Sequence, residues 1–494
     1  MKKLSNPIVS IVILAAFMVS CTGEAAESTN TTNENASSFA SIEVDYYDNG
    51  YLKEESVEQL RVSQMEIQAT TAYEFSIPIA GYMKWHQGFL SEGDYGDWVF
   101  YDTYTQKVPI LTANITTPYT VTYIDLRESA YYIEIPEGRI GGLVLDIYER
   151  PQADLGMLGP DGGKGGKYLI VGPGQEVPGG HDADYIIESN SNLVFLGTRI
   201  IGYNDEDRDI LRKEHFVYKV GGDKTKQKYI SARENADWVG APATGLQFWQ
   251  DVYDVLKNEP IDAIGMNRII WTLLRNTGIS RSKGFHADEE QKAILIRSAI
   301  AGDAIAMVNT FSKKSYKSRH WSDRNYRYIL NQKHLDLMHP DYYESKEIGS
   351  YTYEAFSTSK GMVLPTRNQG SKYLGVYVDE NEQWLDGTHS YEVTVPPDAP
   401  VVDFWSFVVY NNEFRIPIQN EQGDAIIGSK KVNLKLEPDG SVRVFLGPEP
   451  PEGYENNWVQ TNVGEGFFMY FRLYGPTEAY YDKSWKLPDV KKVN

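Results

Sequence analysis

The sequence predicts an α+β protein: a mixed helical and β-rich first half, a helical middle, and an antiparallel sandwich or jelly roll at the end. Three observations carry this. Between Trp98 and Tyr148, residues such as Val121, Tyr123, Tyr131, Ile133 and Ile135 alternate with polar residues or lie in β-branched runs, the texture of strands. Between Gln247 and Phe311 the apolar spacing becomes helical. From Tyr351 onward, short apolar segments are separated by turn signals such as Leu385-Asp386-Gly387, Pro396-Pro397 and Pro438-Asp439-Gly440, the rhythm of an antiparallel sandwich.

The elements follow in order. Lys2 and Lys3 precede an apolar run from Ile8 to Val19, and Met18-Val19-Ser20-Cys21 closes it. This resembles a bacterial lipoprotein signal with lipidation at Cys21. Residues 22–45 are rich in Thr, Asn, Ser and Glu and predict a disordered tether. Thr22 stands where an inner-membrane retention signal places Asp, so the expected location is the bacterial cell envelope, lipid-anchored at the outer membrane. An N-terminal α+β domain is expected over 46–230, a helical linking region over 231–345 and the C-terminal sandwich over 346–494. In the first, Leu60, Met65, Ala69, Ala72 and Phe75 space a helix that Pro78 bends or ends. In the middle, Ala293, Ile296, Ile300, Ala304, Met307 and Phe311 form one stripe expected to face the core. Further strands are expected at Tyr373–Val378, Tyr391–Val395, Val401–Tyr410, Val432–Leu436, Ser441–Leu446 and Phe467–Leu473.

Composition narrows the function. The chain has 494 residues and a formal net charge of −20, which excludes a nucleic-acid partner and electrostatic adhesion to anionic lipid. A single cysteine excludes intrachain disulfides and Cys-based zinc clusters. The Gly-rich stretch Asp154–Gly180 fails the phosphate-loop pattern, because Asp161 stands where glycine is required and Tyr168 where Ser or Thr is. It reads either as a β-rich turn or as a loop whose amides, Lys164 and Lys167 line an anionic or hydroxylated ligand. Nucleophile-elbow, zincin, Rossmann and EF-hand patterns do not occur, and no cofactor is expected.

Asn114-Ile-Thr-Thr-Pro-Tyr119, Asp125-Leu-Arg127 and Asp154–Leu169 resemble the first member of a bacterial tandem of domains of unknown function, numbered 1254 and 1214. Trp384-Leu-Asp-Gly387, Asp403-Phe-Trp-Ser406, Asn457-Trp458 and Phe471–Tyr480 resemble the second. Thr116 replaces an Asp that the family often carries. The resemblance implies a barrel-like sheet in the first domain and a jelly roll in the second, and it supplies no activity and no catalytic residues.

The ligand-binding candidates are Asn114, Thr117, Tyr119, Lys164, Lys167, Arg199 and Arg415. An Asn–Lys–Arg group in a cleft attracts a carboxylate or sulfate, and it serves equally well to knit two domains together. His334, Asp336, His339 and Asp341 offer two imidazoles and two carboxylates within eight residues, as a metal site or a solvated loop. The aromatic content, 13% of residues, suits sugar rings and also sheet packing. Two functions are therefore expected. One is an envelope lipoprotein that binds or acts on a polar, saccharide-like or carboxylated molecule near the Gly-rich loop. The other is a non-catalytic jelly-roll module that binds a glycan or assembles, with a homo-oligomer among the outcomes.

Overall fold

A computed structural model describes residues 46–200, 205–262, 264–313, 316–330, 341–363 and 365–493. From Tyr46 to Asn494 the chain forms one compact unit. Its first large element is the helix Glu54–Leu90, which runs through Pro78 instead of ending there. Pro78 lacks the N–H that would bond one turn back. It is buried along with Ile77, Ile79 and Ala80, so packing holds the helix where propensity would break it.

Two layers of sheet follow. A six-stranded sheet has the order Tyr229–Ser231, Trp98–Tyr101, Tyr119–Asp125, Leu193–Ile200, Ile140–Leu145, Pro151–Gly156. A four-stranded sheet orders Phe216–Lys219, Tyr131–Ile135, Gly166–Val171, Tyr185–Glu188. Alternation assigns each face. Ile124, Val194 and Leu196 of the larger sheet pack against Ile133, Ile135 and Ile170 of the smaller. Val121, Tyr123 and Phe195, one residue out of step, point the other way and join the helices. Both sheets are open, so the barrel-like closure expected for this half does not occur among the described residues.

The C-terminal half repeats the plan. A five-stranded sheet, Arg327–Tyr328, Ser371–Val376, Phe467–Pro476, Val401–Asn411, Ile426–Gly428, is packed against a four-stranded one, Trp458–Gln460, Val442–Gly447, Ser390–Val395, Lys491–Val493. Trp405, Phe407, Met469 and Phe471 share one core with Val393, Val444 and Leu446. The opposite face of the five-stranded sheet, carrying Val408, Tyr410, Phe468 and Tyr470, joins the same core as the helices and the six-stranded sheet. Phe467–Pro476 is therefore buried on both faces along its whole length. No strand forms at Val432–Leu436: the segment is a turn followed by irregular chain, and Val432 and Leu436 are exposed.

Helices Gly245–Leu256, Gly265–Leu274, Glu289–Phe311 and Ser345–Glu354 pack around the long first helix. Glu289–Phe311 starts at a capping box between Asp288 and Gln291. Its stripe faces the opposite way from the expectation: Ile296, Ile300 and Met307 are exposed, and Leu295, Ser298, Ala299, Gly302 and Ala306 are buried. Close approach explains this, because a Cβ on Gly302 would lie 2.4 Å from the Tyr73 ring. Small residues bring the two helices together, and that contact outweighs burying the larger aliphatics. Gly302→Ala is expected to lower stability by about 1–3 kcal/mol through overpacking, despite alanine's better helix propensity, as read from urea midpoints.

Candidate anion-binding cavity

The inward face of the six-stranded sheet sets the floor of a cavity of about 110 Å³. Arg199 lies opposite Tyr119, Gly197 opposite Val121 and Leu143, and Phe195 opposite Tyr123 and Leu145. These positions share one face, so the floor runs from a polar end at Arg199 to an apolar end at Phe195, roughly 13 Å along the strand. Trp85 stacks on Phe356 at 4.0 Å, and Phe356 meets Phe195 edge-on at 5.0 Å. These rings wall the apolar end.

The five-stranded sheet supplies the facing wall. Tyr373 pairs with Arg472 across adjacent strands, and Ser371 pairs with Tyr474. Arg472 is 4% exposed, and its guanidinium lies 4.8 Å from the Tyr373 ring. It donates to the Thr112 carbonyl at 2.7 Å and to the Tyr410 hydroxyl at 2.6 Å. The Tyr410 hydroxyl in turn donates to the carbonyl of Ala113 at 3.0 Å. The loop before Tyr119 is thus gripped by the far half of the chain.

That loop places the amide of Asn114. Its Oδ1 accepts from the Thr116 backbone at 2.9 Å and from the Thr116 hydroxyl at 2.5 Å. Thr116 also reaches the Tyr474 hydroxyl at 2.9 Å, so a hydroxyl where the family often has a carboxylate ties the amide to the second sheet. The Lys107 ammonium, itself buried, donates to the carbonyls of Asn114 and Thr117 at 3.2 and 2.6 Å and sits over the Tyr119 ring.

The electrostatics are unusual. Arg472 is buried and Arg199 half-buried, both line the cavity, and the strongest charged or phenolic influences on them are each other and tyrosines; no Asp or Glu is among the described lining residues. Burial pushes the Tyr119 phenol up, and the two guanidiniums only partly offset it. Burial also opposes ionisation of Tyr373, yet Arg199 and Arg472 together hold its phenol below its ordinary range. Asn114 Nδ2 and Arg472 Nε are buried donors with no protein partner. Buried charge is costly unless neutralised, and buried donors are costly unless bonded. The arrangement is a set of donors and two positive charges around a hollow, suited to an acceptor-bearing anion.

Residues 100–218 match the family model described as protein of unknown function DUF1254, and residues 370–478 match that of DUF1214. The chain carries both domains in tandem. The cavity lies where the DUF1254 strands Tyr119–Asp125 and Leu193–Ile200 face the DUF1214 strands Ser371–Val376 and Phe467–Pro476. The VPA0106 protein from Vibrio parahaemolyticus has a similar fold, with a TM-score of 0.51 and 19% identity over 88% of this chain and all of that one. An uncharacterised protein from Burkholderia cenocepacia aligns with a TM-score of 0.39 and 11% identity over 88% of this chain and 94% of that one. A search of the curated proteins gives no match.

Of the candidates named from sequence, Asn114, Tyr119 and Arg199 line the cavity. Thr117 is buried beside it, and its hydroxyl has no protein partner. Lys164 and Lys167 do not belong to the cavity. Lys164 is exposed on a turn where Gly162, Gly163 and Gly165 adopt positive φ, which glycine permits at no steric cost. Lys167 sits on the four-stranded sheet of the DUF1254 domain, ion-paired with Asp182 at 2.7 Å and Glu134 at 3.7 Å. The Gly-rich stretch runs from the strand Pro151–Gly156 of the six-stranded sheet through a turn into Gly166–Val171 of the four-stranded one, and neither of its lysines lines the cavity. Arg415 ties the halves together: it donates to the Tyr353 carbonyl at 3.0 Å, and its own carbonyl accepts from Thr112. His334, Asp336 and His339 lie outside the described residues, as does Cys21, and Asp341 is exposed. No group of three or more metal-ligating side chains occurs among the described residues.

Arg472, Tyr373 and Tyr474 were not among the sequence candidates. A signal was present. Phe467–Pro476 alternates Phe, Met, Phe, Leu on one face with Phe, Tyr, Arg, Tyr on the other, and a lone arginine inside such a strand needs a buried partner.

Proposed function

We propose that this protein binds a small carboxylate between its DUF1254 and DUF1214 domains. The observation that carries the reading is the pair of guanidiniums, Arg199 and Arg472, lining one cavity whose described lining includes no carboxylate. Asn114 supplies an unbonded amide donor beside them. This keeps the carboxylated ligand expected from sequence and moves its site from the Gly-rich loop to the junction. Two sheets packed over one core in the C-terminal half support reading that half as a jelly roll. The basic start, apolar run and Ser20-Cys21 support a lipid-anchored envelope protein.

Thermal unfolding with added sodium acetate tests the reading. Ligand at 100 times its Kd is expected to add about 2.7 kcal/mol of apparent stability. Equal ionic strength of sodium chloride is expected to add far less. An unchanged Tm up to 100 mM acetate would refute a carboxylate site.

A further inference from the structure

The geometry points to a more defined ligand: an amphipathic monocarboxylate, with its anionic head at Arg199, Arg472 and Asn114 and an aromatic or branched aliphatic body along the floor toward Phe195. This inference rests on the carboxylate reading above and specifies what else the ligand carries.

Three features carry it. First, the cavity is bipolar. One strand, Leu193–Ile200, places arginine, glycine and phenylalanine at successive inward positions, so polarity changes along a single axis. Gly197 matters in the middle, because a Cβ there would come within 2.9 Å of the Phe195 ring and would narrow the passage between the two ends. Secondly, the far end is flat and aromatic. The Trp85–Phe356 stack and the edge-on Phe195 ring present aromatic faces and edges, which suit a ring or branched chain better than a hydroxyl-rich sugar. Leu143, Ile329 and Met362 add aliphatic surface and no charge. Thirdly, the size fits. A cavity of about 110 Å³, at 10–15 Å³ of this measure per water, holds roughly seven to eleven water-sized groups. Acetate would fill less than half of that, whereas a ring-bearing monocarboxylate of about ten non-hydrogen atoms would occupy most of it. A dicarboxylate would bring its second charge to the aromatic end, where no cation faces it, and would pay desolvation without return.

Calorimetric titration of the full chain with four probes tests this: sodium acetate, sodium phenylacetate, sodium succinate and neutral phenylacetamide. Phenylacetate is expected to bind at least tenfold tighter than acetate. Succinate should bind no better than acetate, and phenylacetamide at least a hundredfold weaker than phenylacetate. In Phe356→Leu, which removes the ring and leaves a smaller apolar side chain, phenylacetate should lose affinity several-fold and acetate should not change. Equal affinities for acetate and phenylacetate would overturn the amphipathic ligand and leave the carboxylate site standing. Tightest binding by succinate would do the same. Failure of all four probes at 10 mM, or equal binding of phenylacetamide and phenylacetate, would overturn both readings. The wild-type comparison decides the matter even if the variant does not fold.

Discussion

Arg472→Met is expected to abolish carboxylate binding and to leave the unliganded fold close to wild-type stability. The two effects separate for a physical reason. Without ligand, Arg472 is a buried charge facing tyrosines and a second guanidinium. Replacing such a charge by an apolar side chain of similar volume is often neutral or stabilising. The loop it grips does not lose its partner, because the Tyr410 hydroxyl still donates to the carbonyls of Thr112 and Ala113, at 3.3 and 3.0 Å. With ligand, the same change removes a charge-assisted bond in a desolvated site, worth about 2–5 kcal/mol, or roughly 30-fold to several thousandfold in Kd. Acetate titration reads the first quantity and urea unfolding of the unliganded protein reads the second. An unliganded variant destabilised by more than about 3 kcal/mol would make Arg472 a structural pin rather than a ligand-holding group.

The second large effect is a contribution to stability, made by buried histidines, that is lost in mild acid. His215 is fully buried, stacks on Trp98 at 3.9 Å, and neither ring nitrogen has a partner. Burial pushes its pKa down to about 3, and that of His320 to about 3; His86 is held at about 4. The unfolded chain takes up these protons near pH 6.5 and the folded chain does not, so stability is full above about 6.5 and is lost as pH falls toward 3. At pH 5 a histidine shifted this far costs about 2 kcal/mol. Glu259 works in the opposite sense. Burial raises it to about 7, so the folded chain holds its proton more tightly and stability from this group grows as pH falls from 7 toward 4.5. Glu149, Glu354, Asp251 and Asp489, all raised by burial, act in the same sense as Glu259, so the histidine contribution is read as a difference between variant and wild type. In His215→Phe, which keeps a ring against Trp98, stability at pH 5 relative to pH 7.5 should exceed that of wild type by about 2 kcal/mol in urea unfolding. Identical pH dependence in the variant and wild type would show that His215 is protonated in the fold.

How far the sequence discloses all this depends on whether neighbours along the chain decide the outcome. Strands Val401–Asn411 and Ser390–Val395 were legible because alternation is a local property. Asn114, Tyr119 and Arg199 were legible as a polar set because they stand beside turns or strand ends. The orientation of Glu289–Phe311 was not, because Ile294 and Leu295 compete with Ile296 and Ile300 for the core, and Tyr73, far away in sequence, settles the matter. Lys167 was misplaced for a related reason. Its charge suggested a ligand, and its partners Asp182 and Glu134 meet it only across the folded sheet. Arg472 was hidden by the very strand that makes it informative, since an aromatic run reads as core.

The bond from Arg472 to the Thr112 carbonyl spans 360 positions of sequence, and this has a consequence for biosynthesis. At 5–20 residues per second, Thr112 leaves the ribosome roughly 20–70 seconds before its partner. During that interval the nascent first half can pair its own strands and lay the helix Glu54–Leu90 over Tyr123 and Phe195, but Thr112, Asn114 and Arg199 lack the strands Ser371–Val376 and Phe467–Pro476 that later face them. The growing chain therefore spends roughly 20–70 seconds with the guanidinium end of its cavity open, and that end acquires its anion-holding form only when the last strands arrive.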